Sequence, residues 1–83
     1  METYTLYNSA DKERFLEICA HFEKELSEFK KLPPFEDKKQ NAVYQRFELG
    51  QRAVVICLET LWSERIIAKA NFDISGLLKN ITA

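Results

Sequence analysis

At 83 residues, with 46% apolar and 30% charged positions, the chain has the composition of a folded globular protein; its length supports one small core, so residues 1–83 read as a single domain. Twelve Lys and Arg against 13 Asp and Glu leave a formal charge of -1, which excludes both the basic excess of a general nucleic-acid binder and the acidic excess of a DNA mimic. The longest apolar run, Ala53 to Leu58, is far short of the roughly 20 residues that a membrane helix needs, and Met1 to Tyr7 lacks the pattern of an export signal, so the expected location is the cytoplasm without a membrane partner.

In chain order, Glu2 to Tyr7 has the threonine and aromatic enrichment of an extended arm, and Asn8 and Ser9 stop it with side chains that cap helices. From Ala10 to Lys31, Phe15, Ile18, Cys19, Phe22, Leu26 and Phe29 form an i, i+3, i+4, i+7 stripe. Asp11 and Glu13 stand near the positive end of this helix, and Lys30 and Lys31 near its negative end. Leu32, Pro33 and Pro34 end it, because proline disfavours helical geometry in the residue before it and has no N–H to donate.

Between Ala42 and Ala68, Val43, Tyr44, Phe47, Gly50, Val54, Leu58, Leu61 and Trp62 recur every three or four residues. That spacing predicts a second helix from about Phe35 to Lys69, with a kink at Gly50, antiparallel to the first. The expected packing sets Phe15, Phe22 and Phe29 against Phe47, Val54 and Leu61. After Asn71, Asp73 caps a short third helix carrying Ile74, Leu77, Leu78 and Ile81. The predicted fold class is all-α, an antiparallel helical hairpin with a short third helix and an extended N-terminal arm. The alternative is α+β, a small β-α-β-β-α domain in which Val43–Leu49 and Ala53–Glu59 form a hairpin turning at Gly50 and Gln51, the arm adds a strand, and Thr60–Ala70 is helical. The β-branched Val54, Val55 and Ile56 favour that alternative.

No catalytic constellation emerges. His21 is the single histidine; the position three before it is isoleucine, so the Glu-x-x-His signature of dinuclear carboxylate bundles is missing. Cys19 points roughly 200° around the helix from His21, and no C-x2-C pair anchors a zinc site. Both Cys19 and Cys57 read as small buried hydrophobes. Gly50 and Gly76 are isolated, so no phosphate-cradling loop is present, and the Asn80-Ile81-Thr82 sequon has no bearing on a cytoplasmic chain. Catalytic residues, metal, cofactor and small-molecule substrate are all expected to be absent.

Two binding readings follow. On the helical wheel, Leu49, Ala53, Ile56, Thr60 and Ile67 form a second apolar stripe on the polar side of the long helix, to be covered either by the chain's own N-terminal arm or C-terminal helix or by a protein partner or second copy of the chain, the last two being the binding reading. Under this reading the protein is a small non-enzymatic regulator or inhibitor, of the antitoxin, immunity or phage-type inhibitor class. The alternative is a nucleic-acid-associated regulator, with Lys30, Lys31, Lys38, Lys39 and Arg46 around the Pro-Pro turn contacting phosphates and Tyr44 available for stacking.

Overall fold

The computed structural model describes residues 2–61 and 63–79. It overturns the all-α hairpin. Among the described residues there are six strands, β1 (Glu2–Tyr7), β2 (Lys30–Lys31), β3 (Phe35–Asp37), β4 (Ala42–Leu49), β5 (Arg52–Glu59) and β6 (Arg65–Ala70), together with one α-helix, α1 (Lys12–Glu25), and a 3-10 turn at Ser75–Leu78. The strands form a single sheet in the order β1-β6-β5-β4-β2, with β3 also on β4, and every pairing is antiparallel. Strands β2 and β3 lie end to end along β4, so they form one edge strand interrupted at Leu32–Pro34.

The predicted second helix is instead β3 to β6. The physical reason is visible in β5, where Val54, Ile56 and Leu58 are buried on one face and Cys57 on the other. A strand apolar on both faces shows no alternation, and its residues, read with those of β4, land on a helical arc by coincidence of spacing. Three consecutive β-branched residues, Val54 to Ile56, are stiff at χ1 and suit the pleat better than a helix. Gly50 is the turn of the hairpin, with φ +59, a left-handed conformation that side chains with a Cβ adopt only with strain. Positive φ at the first of two central residues matches the type II′ turn, whose twist suits a two-residue hairpin. The β-α-β-β-α alternative contains this hairpin and the N-terminal strand, but where it places a closing helix over Thr60–Ala70 the chain forms β6 from Arg65 to Ala70.

The first helix forms as its stripe predicts but is shorter at both ends. Asp11 is its N-cap, with Oδ1 accepting from the backbone N–H of Glu13 at 3.0 Å and of Arg14 at 3.2 Å. Phe15, Ile18, Cys19, Phe22 and Leu26 are buried against the sheet. The helix stops at Glu25 because the chain must turn into the edge strand: Phe29 N–H bonds to Leu26 O at 2.9 Å and Leu32 N–H to Arg46 O at 3.0 Å. Sheet pairing here overrides the helical continuation that Lys30 and Lys31 suggested. Of the expected aromatic packing, Phe15, Phe22, Phe47 and Val54 do share one core. Phe29 stacks on Phe72 with centroids 5.8 Å apart, and Leu61 is 46% exposed. The third helix is the 3-10 turn; Asp73 Oδ1 accepts from Ser75 N–H at 2.9 Å, while Trp62 and Ile81 lie outside the described residues.

The larger core lies on the face of the sheet that α1 covers. A helix is about 10–12 Å wide, whereas five strands at about 4.8 Å spacing are roughly twice that, so α1 cannot shield the whole face. Ile74, Leu77 and Leu78 pack on the same core, and His21 Nε2 meets Leu77 O at 3.1 Å. Toward β4 the cover is incomplete, and a groove of about 430 Å3 opens between α1 and the edge, lined by Phe15, Leu16, Ala20, Pro34 and Val43 with Gln45 at its base. Lys31 Nζ bonds Glu23 Oε2 at 3.1 Å, linking β2 to α1 beside that groove. No helix among the described residues is long and apolar enough to cross a membrane.

Candidate functional site

The opposite, helix-free face of the sheet carries the second constellation. Strand register places Phe35 beside Tyr44, Tyr44 beside Cys57, Cys57 beside Ile67, and Ile67 beside Thr5, one row across β3, β4, β5, β6 and β1. Ala42, Cys57 and Ile67 are buried in the middle of this row, with Tyr44 packed on them. Phe35, at the edge, is 58% exposed; its ring lies 6.0 Å from that of Tyr44 at 32°.

In the next row Arg46 stands beside Val55 and Val55 beside Lys69. Leu32, Pro33, Phe35, Tyr44, Arg46 and Val55 together line an open depression of about 600 Å3. The Pro-Pro break shapes it. Proline cannot donate to the ladder, and the Gln45 side chain supplies a substitute bond, its Nε2 donating to Leu32 O at 2.7 Å. The apolar Leu32–Pro33 wall is thereby fixed against β4. The far wall of Tyr44 is set by a four-residue turn: Asp37 Oδ1 accepts from the N–H of Lys39 and Gln40 at 3.1 and 3.2 Å, and Asn41 takes a left-handed φ of 49, which Asn tolerates better than most residues.

Charge on this face is largely paired. Arg46 reaches Glu48 Oε1 at 2.7 Å and Arg65 reaches Glu59 Oε2 at 3.2 Å. Burial raises the Tyr44 phenol above its ordinary value, with Cys57 and Asp37 adding to the effect, so it is a neutral hydrogen-bonding group. Burial also pushes the Cys57 thiol up to about 11 and the Cys19 thiol up to about 12; a nucleophilic thiol needs the opposite shift. Among the described residues no three His, Cys, Asp or Glu side chains gather as a metal-binding group.

The residues expected to form a partner stripe are dispersed. Ile56 is fully buried on the helix side and Ile67 buried on the other face. Ala53 is half-buried on β5, Leu49 is exposed at the hairpin end, and Thr60 Oγ1 donates to Asn41 O at 2.6 Å. No continuous surface joins them, because the stripe was built on a helix that does not form. The basic set is dispersed as well. Lys30 and Lys31 are adjacent in a strand and so point to opposite faces, Lys31 and Arg46 are in ion pairs, and Lys38 and Lys39 sit in the turn after β3. Tyr44 and Arg46 do meet in the depression. The residue that sequence reasoning passed over is Phe35: placed in a helix its ring is one apolar side chain among many, and only the pairing of β3 with β4 reveals it as an exposed aromatic on a sheet edge.

No protein-family model, curated protein or solved structure matches the chain.

Proposed function

We propose that this chain is a small non-enzymatic regulator or inhibitor that binds a protein target on the helix-free face of its sheet, and that it acts in the cytoplasm. The observation that carries the reading is the exposed Phe35, its ring tilted against that of Tyr44 at the mouth of an apolar depression walled by Leu32, Pro33 and Val55 and edged by Arg46. Aromatic side chains and arginine are the groups that protein interfaces enrich, and a large exposed aromatic beside a pocket is how a binding hot spot begins. The absence of enzymatic function is supported by the two protonated, buried thiols and by the engagement of His21 with the Leu77 carbonyl. Two free buried cysteines support a reducing compartment.

A protein target is favoured over nucleic acid by the dispersal of the lysines and the paired charge of Arg46. The test is affinity capture from host extract with wild-type chain and with Phe35→Asp, quantified by mass spectrometry after nuclease treatment. The expected result is a protein retained by the wild type and lost at least ten-fold by the variant, with an unchanged melting temperature. An identical captured set from both chains overturns the assignment to this face, and retention that nuclease abolishes replaces the protein target with a nucleic acid.

A further inference from the structure

The two edges of the sheet are built differently. The β2–β3 edge is broken by Pro33 and Pro34, its strands span two and three residues, and Lys30, Lys31, Glu36, Asp37, Lys38 and Lys39 surround it. Those are the devices by which sheets discourage edge-to-edge pairing: short strands, proline and charge. The β1 edge has six residues, Glu-Thr-Tyr-Thr-Leu-Tyr, with no proline or lysine and one charged side chain, at its first position. Its regular pairing with β6 runs from Glu2 to Thr5 before a bulge at Leu6. Among the described residues its backbone bonds to β6 and to no other segment.

We infer that β1 is a pairing edge and that its occupant is β1 of a second copy of this chain, joined antiparallel about a two-fold axis through Tyr4. A two-fold interface requires the same surface to complement itself, and the central triplet Thr3-Tyr4-Thr5 reads the same in both directions. In that register Tyr4 faces Tyr4, Thr3 faces Thr5 on both sides of the axis, and Glu2 faces Leu6. Opposed residues share a face in an antiparallel pair, so the threonines stay on the helix-free side and the tyrosines on the helix side. Threonine pairs and aromatic pairs are favourable cross-strand neighbours. The lone carboxylate is held away from its copy, and the Tyr4 hydroxyl holds Glu2 Oε2 at 2.6 Å within each chain. Two sheets then run on as one, with the proline-broken edges outermost. One short strand pair places this dimer at the weak, concentration-dependent end of interfaces.

The inference does not rest on the Phe35 face, and it is tested on the isolated full chain by sedimentation velocity across a wide concentration range. The expected result is a weight-average mass rising from 9.7 kDa toward twice that value, with Thr3→Lys/Thr5→Lys held at the monomer mass and Lys38→Thr/Lys39→Thr behaving as wild type. Both threonines are exposed, so the double variant retains the fold. Amide hydrogen exchange supplies a second readout, with protection of Glu2 to Thr5 growing with concentration while that of β4 does not. A wild type monomeric throughout, a dimer that survives the lysine pair, or β1 protection independent of concentration each overturn the inference.

Discussion

Gly50 and Gly76 make a matched pair in which space and backbone geometry separate cleanly. A Cβ placed on either one meets no atom within 4 Å, yet Gly50 has a φ of +59 and Gly76 has no positive φ. Replacing either by alanine narrows the unfolded ensemble and so favours folding by about 0.4–1 kcal/mol. At Gly50 the left-handed conformation opposes this by about 1–2 kcal/mol. The net expectation is a loss of up to about 1.5 kcal/mol for Gly50→Ala and a gain of up to about 1 kcal/mol for Gly76→Ala. In a domain of this size 1 kcal/mol moves the melting temperature by about 4–8 °C, so thermal unfolding followed by circular dichroism resolves the two variants. Glycine inside a helix would give the opposite sign at position 50, since alanine is the better helix former. A Gly50→Ala chain as stable as Gly76→Ala would refute the hairpin turn and the reasoning built on it.

Phe22, on the sheet-facing side of α1, is fully buried, and Phe22→Ala should lower unfolding free energy by about 3–5 kcal/mol in a denaturant titration; a loss under about 1 kcal/mol would mean that the helix is not seated as described. Neighbouring positions on β5 face opposite ways, so Ile56→Asp, which buries an unpaired charge under the helix, should abolish cooperative unfolding, whereas Val55→Asp on the half-open face should leave a folded chain with a modestly reduced melting temperature; equal effects would contradict the assigned faces. Burial moves the Cys19 thiol from an ordinary 9.0 up to about 12, so the folded state holds the proton more tightly than the unfolded one. The stability this contributes is complete below the ordinary value and falls as pH rises through the interval between the two. Correspondingly, Cys19 and Cys57 should resist a thiol reagent at neutral pH until denaturant is added, and prompt stoichiometric labelling of the native chain would contradict their burial.

How far this fold can be read from its residues depends on how many faces each element buries. Helix α1 buries one, so its stripe from Phe15 to Leu26 stands out with no ambiguity, and Asp11 at its start carries the acidic signal that a cap should. Strand β5 buries both, and Val54-Val55-Ile56-Cys57-Leu58 therefore reads as an unbroken apolar run from which no period can be drawn. The one local mark that distinguishes strand from helix is the β-branched trio beside Gly50, and it carried the alternative hairpin. Strand β6 had no such mark: Arg65 to Ala70 is helix-compatible in composition and becomes a strand only because β5 and β1 flank it. The same blindness hid the candidate site. Tyr44 and Arg46 stood near the Pro-Pro turn as binding candidates, but Phe35 joins them through a pairing with Tyr44 that no local pattern encodes. Ile56 and Ile67, adjacent on the imagined stripe, lie on opposite faces, because residues one register step apart across neighbouring strands share nothing that a helical wheel can display.

The pairing of β1 with β6 bears on the order in which the sheet assembles. Glu2 finds its partner in Ala70, so this pairing spans most of the described sequence. Before it closes, α1 and the β4–β5 hairpin form from contacts close in sequence, on the microsecond scale of such elements, while β1 trails unpaired. Closing so long a loop is the step that retards folding in chains of non-local topology. Strand β6 carries Ile66, Ile67 and Ala68, all buried in the folded molecule, and until β1 docks it offers an unpaired edge to other unfolded chains. The short link from Asn8 to Asp11 shortens that exposure, because docking α1 on the hairpin brings β1 to within a few residues of its place.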